Sequence, residues 1–260
     1  MEVSAVVTQG LSRSFGDVVA VRDINLTVES GRFFGFLGPN GAGKSTTIKM
    51  LTGLLAPTTG TIQIAGMDLA THGLEAKRLI GVVPEGMALF GRLTGFEYLR
   101  FVARMYGLPR SQADERAEEL LSFMHLDTEP KKLVTDYSHG MQRKLALAAA
   151  VIHGPRILFL DEPFEGVDAI AAGTLKAMLQ RMTERGATIF LTTHVLEIVE
   201  ALCSHVAIID KGLLVAQGSL EELRAGVAQE GGERLTLEQI FIRIVGGDRS
   251  ADAQELSWLR

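Results

Sequence analysis

The stretch Phe33-Phe-Gly-Phe-Leu-Gly38-Pro-Asn-Gly-Ala-Gly43-Lys44-Ser45 decides how this chain folds. Its second half, Gly38 to Ser45, matches the pattern G-x-x-x-x-G-K-[ST], in which a glycine-rich loop encloses phosphate groups. An apolar strand leads into the loop, and a helix-compatible stretch, Ser45–Leu51, leads out of it. A chain with 28 glycines can carry such a stretch as an ordinary turn. The strand before the loop and the helix after it favour a phosphate site instead.

The chemistry of phosphate binding explains the residue types in this loop. Glycines let backbone N–H groups turn inward and approach phosphate oxygens closely, which side chains would block. The following helix directs its N-terminus, with its partial positive charge, at the same oxygens. Lys44 supplies a full positive charge, and the Ser45 hydroxyl is placed to coordinate Mg²⁺. The predicted nucleotide-binding residues of the loop are Gly38, Pro39, Asn40, Gly41, Ala42, Gly43, Lys44, Ser45 and Thr46.

Other short apolar runs predict the sheet that carries this loop. Their β-branched and aromatic composition is typical of strands buried on both faces of a parallel sheet, and they lie at Ile80–Val83, Ile157–Leu160, Thr188–Leu191 and Val206–Ile209. Helical stretches alternate with these runs, which indicates an α/β fold. Closer to the N-terminus, alternating segments predict a small antiparallel sheet over Ala5–Leu11, Val18–Val28 and Thr61–Ile64.

The segment between about residues 86 and 140 shows helical patterns and no strand pattern. Helical stretches at Gly95–Tyr106 and Ser111–His125 predict a subdomain inserted into the α/β core. The second stretch has one apolar face, formed by Ala113, Ala117, Leu120, Leu121 and Met124. We expect one nucleotide-binding unit over residues 1–225, with a C-terminal extension over 226–260 that is helical and then mobile.

Two adjacent carboxylates, Asp161 and Glu162, end the apolar run Ile157–Leu160. Strand ends are often polar, so the pair can be read as a solvated end of the strand. In a chain that also carries a phosphate loop, the first acid at this position holds Mg²⁺ through water. The second acid projects beyond the strand and can polarise an attacking water.

Composition limits the class of protein. The net charge of −5 does not favour nucleic acid as the main partner. The single cysteine, Cys203, excludes an intrachain disulfide and is predicted to be a buried, inert thiol. No apolar stretch approaches the length needed to cross a bilayer, and the N-terminus shows no secretion signal. The sequence therefore predicts a cytoplasmic chain that reaches a membrane only through a partner.

Further segments, in order and spacing, resemble the nucleotide-binding subunits of ABC transporters over roughly Ala5 to Leu223. The segment Tyr137-Ser-His-Gly-Met141 stands where this family usually has Leu-Ser-Gly-Gly-Gln, and we refer to it as the signature segment. Its Ser138 and Gly140 match the family, and Ser138 is independently a candidate helix N-cap. The resemblance implies that this helix end contacts the γ-phosphate of ATP held by a second subunit, in a head-to-tail dimer with two ATPs.

The resemblance assigns roles to single residues as well. It implies that Asp168 belongs to a loop that crosses to the partner subunit, and that His194 contacts the γ-phosphate and positions the water. It implies that Phe15 stacks on adenine, although an aromatic residue there can also be ordinary core packing. Together with the residues above, it implies catalytic roles for Lys44, Glu162 and His194 and a Mg²⁺ site at Ser45, Glu85 and Asp161.

The sequence also departs from the family pattern. Glu85 replaces the usual Gln, and it can accept a hydrogen bond from Mg²⁺-bound water but cannot donate as an amide does. His139 and Met141 replace a Gly and the Gln of the signature segment. These variants resemble exporters more than nutrient importers.

The fold class predicted by these features is an α/β P-loop NTPase core with a mostly parallel sheet, an N-terminal antiparallel β subdomain and an inserted α-helical subdomain. The implied function is ATP hydrolysis that drives export through separate integral-membrane permease subunits at the inner face of the cell membrane. The implied dimer joins two identical chains or two similar ATPase subunits. The predicted permease docking segment runs from Gly86 to Tyr106 and includes the apolar residues Met87, Leu89, Phe90, Leu93 and Phe96.

Two other functions remain open from the sequence alone. The chain could be an ATPase of the same family that works without a membrane, in translation, DNA repair or cofactor assembly. It has neither the two domains of the translation members nor the long coiled coils of the repair members. The second alternative is a nucleotide-dependent binding module without activity, against which Glu162 and His194 argue.

Overall fold

The computed structural model describes residues 4–86, 88–227 and 236–246. The strands in these ranges are β1 Val6–Phe15, β2 Val18–Val28, β3 Phe33–Leu37, β4 Thr59–Ile64, β5 Met67–Asp68, β6 Ile80–Val83, β7 Ile157–Asp161, β8 Thr188–Thr193, β9 His205–Asp210 and β10 Leu213–Ser219. The α-helices are α1 Lys44–Leu51, α2 Gly73–Arg78, α3 Gly95–Met105, α4 Arg110–Phe123, α5 His139–Val151, α6 Ala169–Glu184, α7 Leu196–Leu202, α8 Leu220–Val227 and α9 Leu237–Gly246.

The larger sheet has six strands in the order β10-β9-β3-β8-β7-β6. All neighbours pair in parallel except β10, which runs antiparallel to β9. Strands β3, β7 and β8 are buried at every position, which is why their sequences are continuously apolar instead of alternating. The mostly parallel sheet predicted from those runs is thus confirmed.

The second sheet is antiparallel, with the order β2-β1-β4-β5. Strand β1 continues to Phe15 instead of ending at Leu11 as predicted. Its last residues pair with β2 after three register shifts, and these bulges interrupt the alternation that the sequence would otherwise show. The short strand β5 and the edge strand β10 were not predicted, because the first has two residues and the second is mostly half-exposed.

Helices α3 and α4 occupy the region between β6 and α5, as the sequence predicted. A short 3₁₀ turn at Val134–Asp136 precedes α5, and the described part of this region contains one isolated bridge, between Thr94 and Leu133. The predicted apolar face of α4 is buried except at Leu120, which is only partly covered. Every helix among the described residues is too short or too polar to cross a lipid bilayer.

The C-terminal part is described up to Gly246. The C-terminal extension, predicted to be helical and then mobile, contains helix α9, and the residues after Gly246 lie outside the described part. The boundary near residue 225 remains a prediction. Cys203 follows α7 and is buried, and burial raises the pKa of its thiol far above the ordinary range, which leaves the thiol protonated and unreactive.

The sheet gathers the candidate site at one edge. Because β3, β6, β7 and β8 run in the same direction, the residues that follow their carboxyl ends meet there. These residues are the glycine-rich loop after β3, Glu85 after β6, Glu162 after β7 and His194 after β8.

Candidate functional site

The glycine-rich loop is shaped by close backbone contacts. A Cβ atom on Gly38 would lie 2.4 Å from the carbonyl oxygen of Ile209, and one on Gly43 would lie 2.7 Å from that of Ala20. Gly43 also has a positive φ of 107°, which L side chains rarely adopt, and it is the N-cap residue of α1. Only glycine therefore fits at these two positions, and the helix begins directly at Lys44.

Lys44 is held inside the loop as a buried cation. Its Nζ donates a 2.8 Å hydrogen bond to the carbonyl oxygen of Gly38 and lies 3.4 Å from Oε1 of Glu162. Lys44 is 6% exposed and Glu162 is 7% exposed. Two buried charges of opposite sign stabilise each other, so loss of either would leave an uncompensated buried charge.

Glu162 is placed by an unusual backbone conformation. Its φ of 49° is in the left-handed region, which costs on the order of 1 kcal/mol for a residue with a side chain. Its N–H group donates to the carbonyl and hydroxyl oxygens of Thr192 on the neighbouring strand, at 3.2 Å each. The turn directs the carboxylate toward His194, whose Nδ1 lies 3.1 Å from Oε1. A carboxylate, an imidazole and an ammonium group thus form one connected set.

Oxygen atoms suited to Mg²⁺ lie beside this set. Ser45 Oγ is 3.3 Å from Oε2 of Glu85 and also hydrogen bonds to the buried carboxylate of Asp161. Burial raises the pKa of Asp161, while hydrogen bonds from Thr192 and Ser45 oppose that rise. Within the described ranges no group of three or more His, Cys, Asp or Glu side chains is arranged to hold a metal. One hydroxyl and one or two carboxylates fit Mg²⁺, which takes most of its remaining ligands from phosphates and water.

These residues surround a cavity of about 430 Å³. It is lined by Ala20, Asn40, Gly41, Gly43, Lys44, Ser45, Thr46, Glu85, Glu162, Glu165 and His194. A cavity of this size is within the range that accommodates small ligands. The loop residues Gly38, Pro39 and Ala42 belong to the same turn, and Asp161 is the last residue of β7.

Other residues selected from the sequence lie outside this cavity. Phe15 is 47% exposed, and the guanidinium carbon of Arg13 lies 4.6 Å from the centroid of its ring. Ser138 caps α5, since its Oγ accepts a hydrogen bond of 3.3 Å from the Met141 N–H group.

Gly140 and Asp168 lie together beside the start of α5. A Cβ atom on Gly140 would lie 3.3 Å from Oδ2 of Asp168. Asp168 caps α6, where the N–H groups of Ala171 and Ile170 lower the pKa of its carboxyl. This second cluster lies on the signature segment and the loop before α6.

Sequence reasoning missed three residues near the cavity. Ala20 and Glu165 line it, and the buried Arg143 lies in the electrostatic field of its carboxylates. Ala20 carries no chemical signal. A signal for Arg143 was the charged pair Arg143-Lys144, which directly precedes the apolar run Leu145–Val151 of the same helix.

Comparison with known proteins gives consistent results. The family model described as "ABC transporter" matches residues 21–165. The linearmycin resistance ATP-binding protein LnrL of Bacillus subtilis is 37% identical over 215 residues, covering 83% of this chain and 69% of that protein. The probable multidrug ABC transporter ATP-binding protein YbhF of Escherichia coli is 36% identical over 235 residues, or 90% of this chain. The chain spans only 40% of the length of YbhF.

A solved structure gives the same result at the level of the fold. An ATP-binding subunit of an ABC transporter superposes with a TM-score of 0.85 at 30% sequence identity. The match covers 92% of this chain and 99% of that subunit.

Proposed function

The chain belongs to the family of ABC transporter ATP-binding subunits, and we propose that it binds ATP with Mg²⁺ in the described cavity and hydrolyses it to drive export through separate permease subunits. As a member of that family it is an ATP-binding and ATP-hydrolysing protein. The observation that supports the residue assignment is that Glu162 contacts both Lys44 and His194 beside the glycine-rich loop.

In this proposal the loop binds the phosphates. Backbone N–H groups around Gly41 and Gly43 and the N-terminus of α1 face the phosphate oxygens, and Lys44 adds the only full positive side-chain charge that lines the described cavity. Ser45, Asp161 and Glu85 would hold Mg²⁺, which when bound neutralises charge on the β- and γ-phosphates. Glu85 would act as an acceptor only, through metal-bound water.

Glu162 is the proposed group that activates water. Its carboxylate accepts a proton from the attacking water, and His194 orients the carboxylate and the water through Nδ1 and Nε2. In the structure the Glu162 carboxylate forms an ion pair with the Lys44 ammonium group. Phosphate oxygens are the stronger partner for an ammonium group, so ATP draws Lys44 away and leaves Glu162 available to water.

The second cluster supplies the dimer contact in this proposal. Ser138, Gly140 and Asp168 lie outside the chain's own cavity, which suits residues that complete the site of a partner subunit. Phe15 would stack on adenine. The names of the similar resistance and multidrug proteins support export, and the chain would work at the cytoplasmic face of the membrane, bound to its permease.

The test is the variant Glu162→Gln, which keeps the size of the side chain and removes its basicity. We expect ATP to bind and phosphate release to fall by roughly a hundredfold or more. The variant should then accumulate as an ATP-bound dimer in size-exclusion chromatography. Glu184→Gln changes an exposed acid at the end of α6 and serves as the control with wild-type turnover. Wild-type turnover in Glu162→Gln would exclude Glu162 as the base.

A further inference from the structure

Helix α5 carries a buried guanidinium that the proposed mechanism does not use. Arg143 is 3% exposed, and among the described residues its buried Nε and Nη1 atoms have no hydrogen-bond partner. Burying a guanidinium with unpaired N–H groups is costly unless negative charge lies close by. The position therefore needs a source of negative charge.

Carboxylates of the nucleotide site supply this charge. Burial lowers the pKa of Arg143, and four carboxylates oppose that effect, with Glu165 the strongest, followed by Glu85, Asp161 and Glu162. Three of the four, Glu85, Glu162 and Glu165, also line the cavity. Arg143 thus lies within the electrostatic field of the acidic residues that line the site.

The loop that carries Glu165 packs directly on the first turn of α5. A Cβ atom on Gly166 would lie 3.1 Å from Cδ2 of His139, and the contact between Gly140 and Asp168 lies next to it. The loop begins at Glu162, whose carbonyl oxygen accepts a 3.2 Å hydrogen bond from the Glu165 N–H group. Glu162 and Glu165 therefore belong to one hydrogen-bonded turn, which connects the position of the loop to that of Glu162.

We propose that Arg143 is a positioning residue whose free N–H groups bind the Glu165 carboxylate when the loop from Glu162 to Asp168 closes on ATP. The pair fixes the loop to α5 and so sets the position of the Glu162 carboxylate. This inference rests on the proposed function of Glu162. The pair would also connect two sites through α5. Ser138, at the start of α5, faces the partner's ATP in the proposed dimer, and Glu162 is the proposed catalytic carboxylate of the same chain.

The test uses the full chain with four variants: Arg143→Met, Arg143→Lys, Glu165→Gln and the double variant Arg143→Met/Glu165→Gln. Arg143→Met should lower kcat on the order of tenfold, with a change in KM of less than about threefold, because the residue does not touch ATP. Arg143→Lys should recover part of the loss, since it restores the charge. Glu165→Gln should lower kcat similarly, and the double variant should be no slower than Arg143→Met.

The control is Arg116→Met. Arg116 is also partly buried, and it donates a 2.8 Å hydrogen bond to the Ile152 carbonyl oxygen, away from the nucleotide site. Its loss should reduce stability and leave kcat unchanged. Additive losses in the double variant would overturn the proposal. Glu165 is exposed, so Glu165→Gln also decides the matter if Arg143→Met does not fold: a wild-type kcat in Glu165→Gln overturns the proposal.

Glu162→Gln is measured alongside to separate this inference from the proposed function. If Glu162→Gln is inactive and Arg143→Met has wild-type kcat, the positioning role of Arg143 is wrong and the proposed function stands. If Glu162→Gln turns over like the wild type, the proposed function fails, and the inference fails with it.

Discussion

At the scale of single residues, Lys44 and Glu162 form a buried charge pair, and the proposed function assigns phosphate binding to the first and water activation to the second. Each partner is buried, and the two atoms Nζ and Oε1 are 3.4 Å apart. Loss of either partner would therefore leave the other charge buried without a partner of opposite sign.

The variant Lys44→Ala tests this residue. We expect ATP binding to weaken and turnover to fall below detection, because the phosphates lose the one full positive side chain that lines the described cavity. Binding of a fluorescent ATP analogue and phosphate release measure the two effects. Lys49→Ala, an exposed lysine on the same helix, is the matched control and should behave as the wild type. Normal ATPase rates in Lys44→Ala would remove the loop from the mechanism.

The same variant should also be less stable. Loss of Lys44 leaves Glu162 buried without its cation, and breaking a buried pair costs about 3 kcal/mol or more. Chemical denaturation without nucleotide measures the free energy of unfolding. The double variant Lys44→Ala/Glu162→Gln should recover part of this loss. An unchanged stability in the single variant would show that the pair contributes nothing to folding.

Residues with a local signature were predictable, and residues defined only by packing were not. Lys44 and Ser45 follow from loop spacing, and Asp161 and Glu162 follow from the end of an apolar run. Arg143 resembles any charged residue in a helix, because its burial depends on how α5 packs against the loop before α6. Glu165 is an exposed acid, and only the direction of that loop brings it to the cavity.

At the scale of elements, buried strands were easier to predict than edge strands. Strands such as β3 and β8 are covered on both faces, so burial dictates their composition directly. Strand β10 has one neighbour in the sheet, β9, and its residues are half-buried or exposed. Its sequence therefore lacks the continuous apolar run that identifies the buried strands. The longer β1 was missed for a related reason, since its bulges break the two-residue period.

A stacked pair of rings joins the helical region to the core. Tyr106, which directly follows α3, stacks on His153, just after α5, with 3.6 Å between ring centroids and planes 8° apart. Nε2 of His153 is 3.0 Å from the carbonyl oxygen of Ile80 in β6, and its Nδ1 is buried without a hydrogen-bond partner among the described residues. Burial lowers the pKa of His153 below 6.5, and the charge of Arg116 lowers it further, while the bond to Ile80 opposes both.

This environment predicts a pH-dependent stability. Because the folded-state pKa of His153 is depressed, the unfolded chain binds the proton more readily, so stability is full above about pH 6.5 and falls as the pH drops below it. His153→Phe keeps the stack on Tyr106 and removes the titration. The difference in unfolding free energy between about pH 7.5 and about pH 5.5 should therefore be smaller in this variant than in the wild type.

Urea denaturation at the two pH values measures the effect. His72→Phe replaces an exposed histidine outside the core and is the control, which should keep the wild-type difference. An unchanged pH difference in His153→Phe would show that other groups cause the acid sensitivity.

At the scale of the whole molecule, the predicted docking segment divides into exposed and buried residues. Phe90 is 57% exposed and makes an edge contact with Phe101, which is 42% exposed. Leu89, Leu93 and Phe96 are partly buried against the core, and Met87 lies outside the described residues. We therefore expect only the exposed residues to contact a permease. Met105 and Tyr106, at the end of the same segment, are also exposed.

The pair Phe90→Glu and Leu93→Glu tests this division. Phe90→Glu should fold and keep its basal ATPase rate but lose recruitment to membranes that contain the permease, because the charge disrupts an apolar contact made only with the partner. Leu93→Glu should instead lower the melting temperature, since it places a charge against the core. Membrane co-sedimentation and thermal denaturation distinguish the two. Full recruitment of folded Phe90→Glu would remove Phe90 from the interface.

The arrangement of two complementary clusters on one chain predicts how subunits complete each other. Ser138 caps α5 and lies outside the cavity that contains Lys44, so it should reach only the ATP of a partner. Ser138→Arg should then bind ATP nearly as well as the wild type and fail to hydrolyse it. Lys44→Ala fails for the opposite reason, because its own cavity is damaged while its signature segment is intact. Each variant alone has no complete site.

A mixture of the two variants separates this model from a purely local role. A mixed dimer pairs the intact cavity of Ser138→Arg with the intact signature segment of Lys44→Ala, which gives one complete site. With random pairing half of the dimers are mixed, and each mixed dimer has one complete site of two. About a quarter of wild-type turnover should therefore return if one site can hydrolyse ATP alone. A helix cap alone predicts a stability loss of about 1 kcal/mol, which Ser138→Ala would share, and no recovery on mixing. Recovery on mixing therefore requires Ser138 to act across the dimer, and its absence, with both chains folded and dimerising, would confine Ser138 to capping α5.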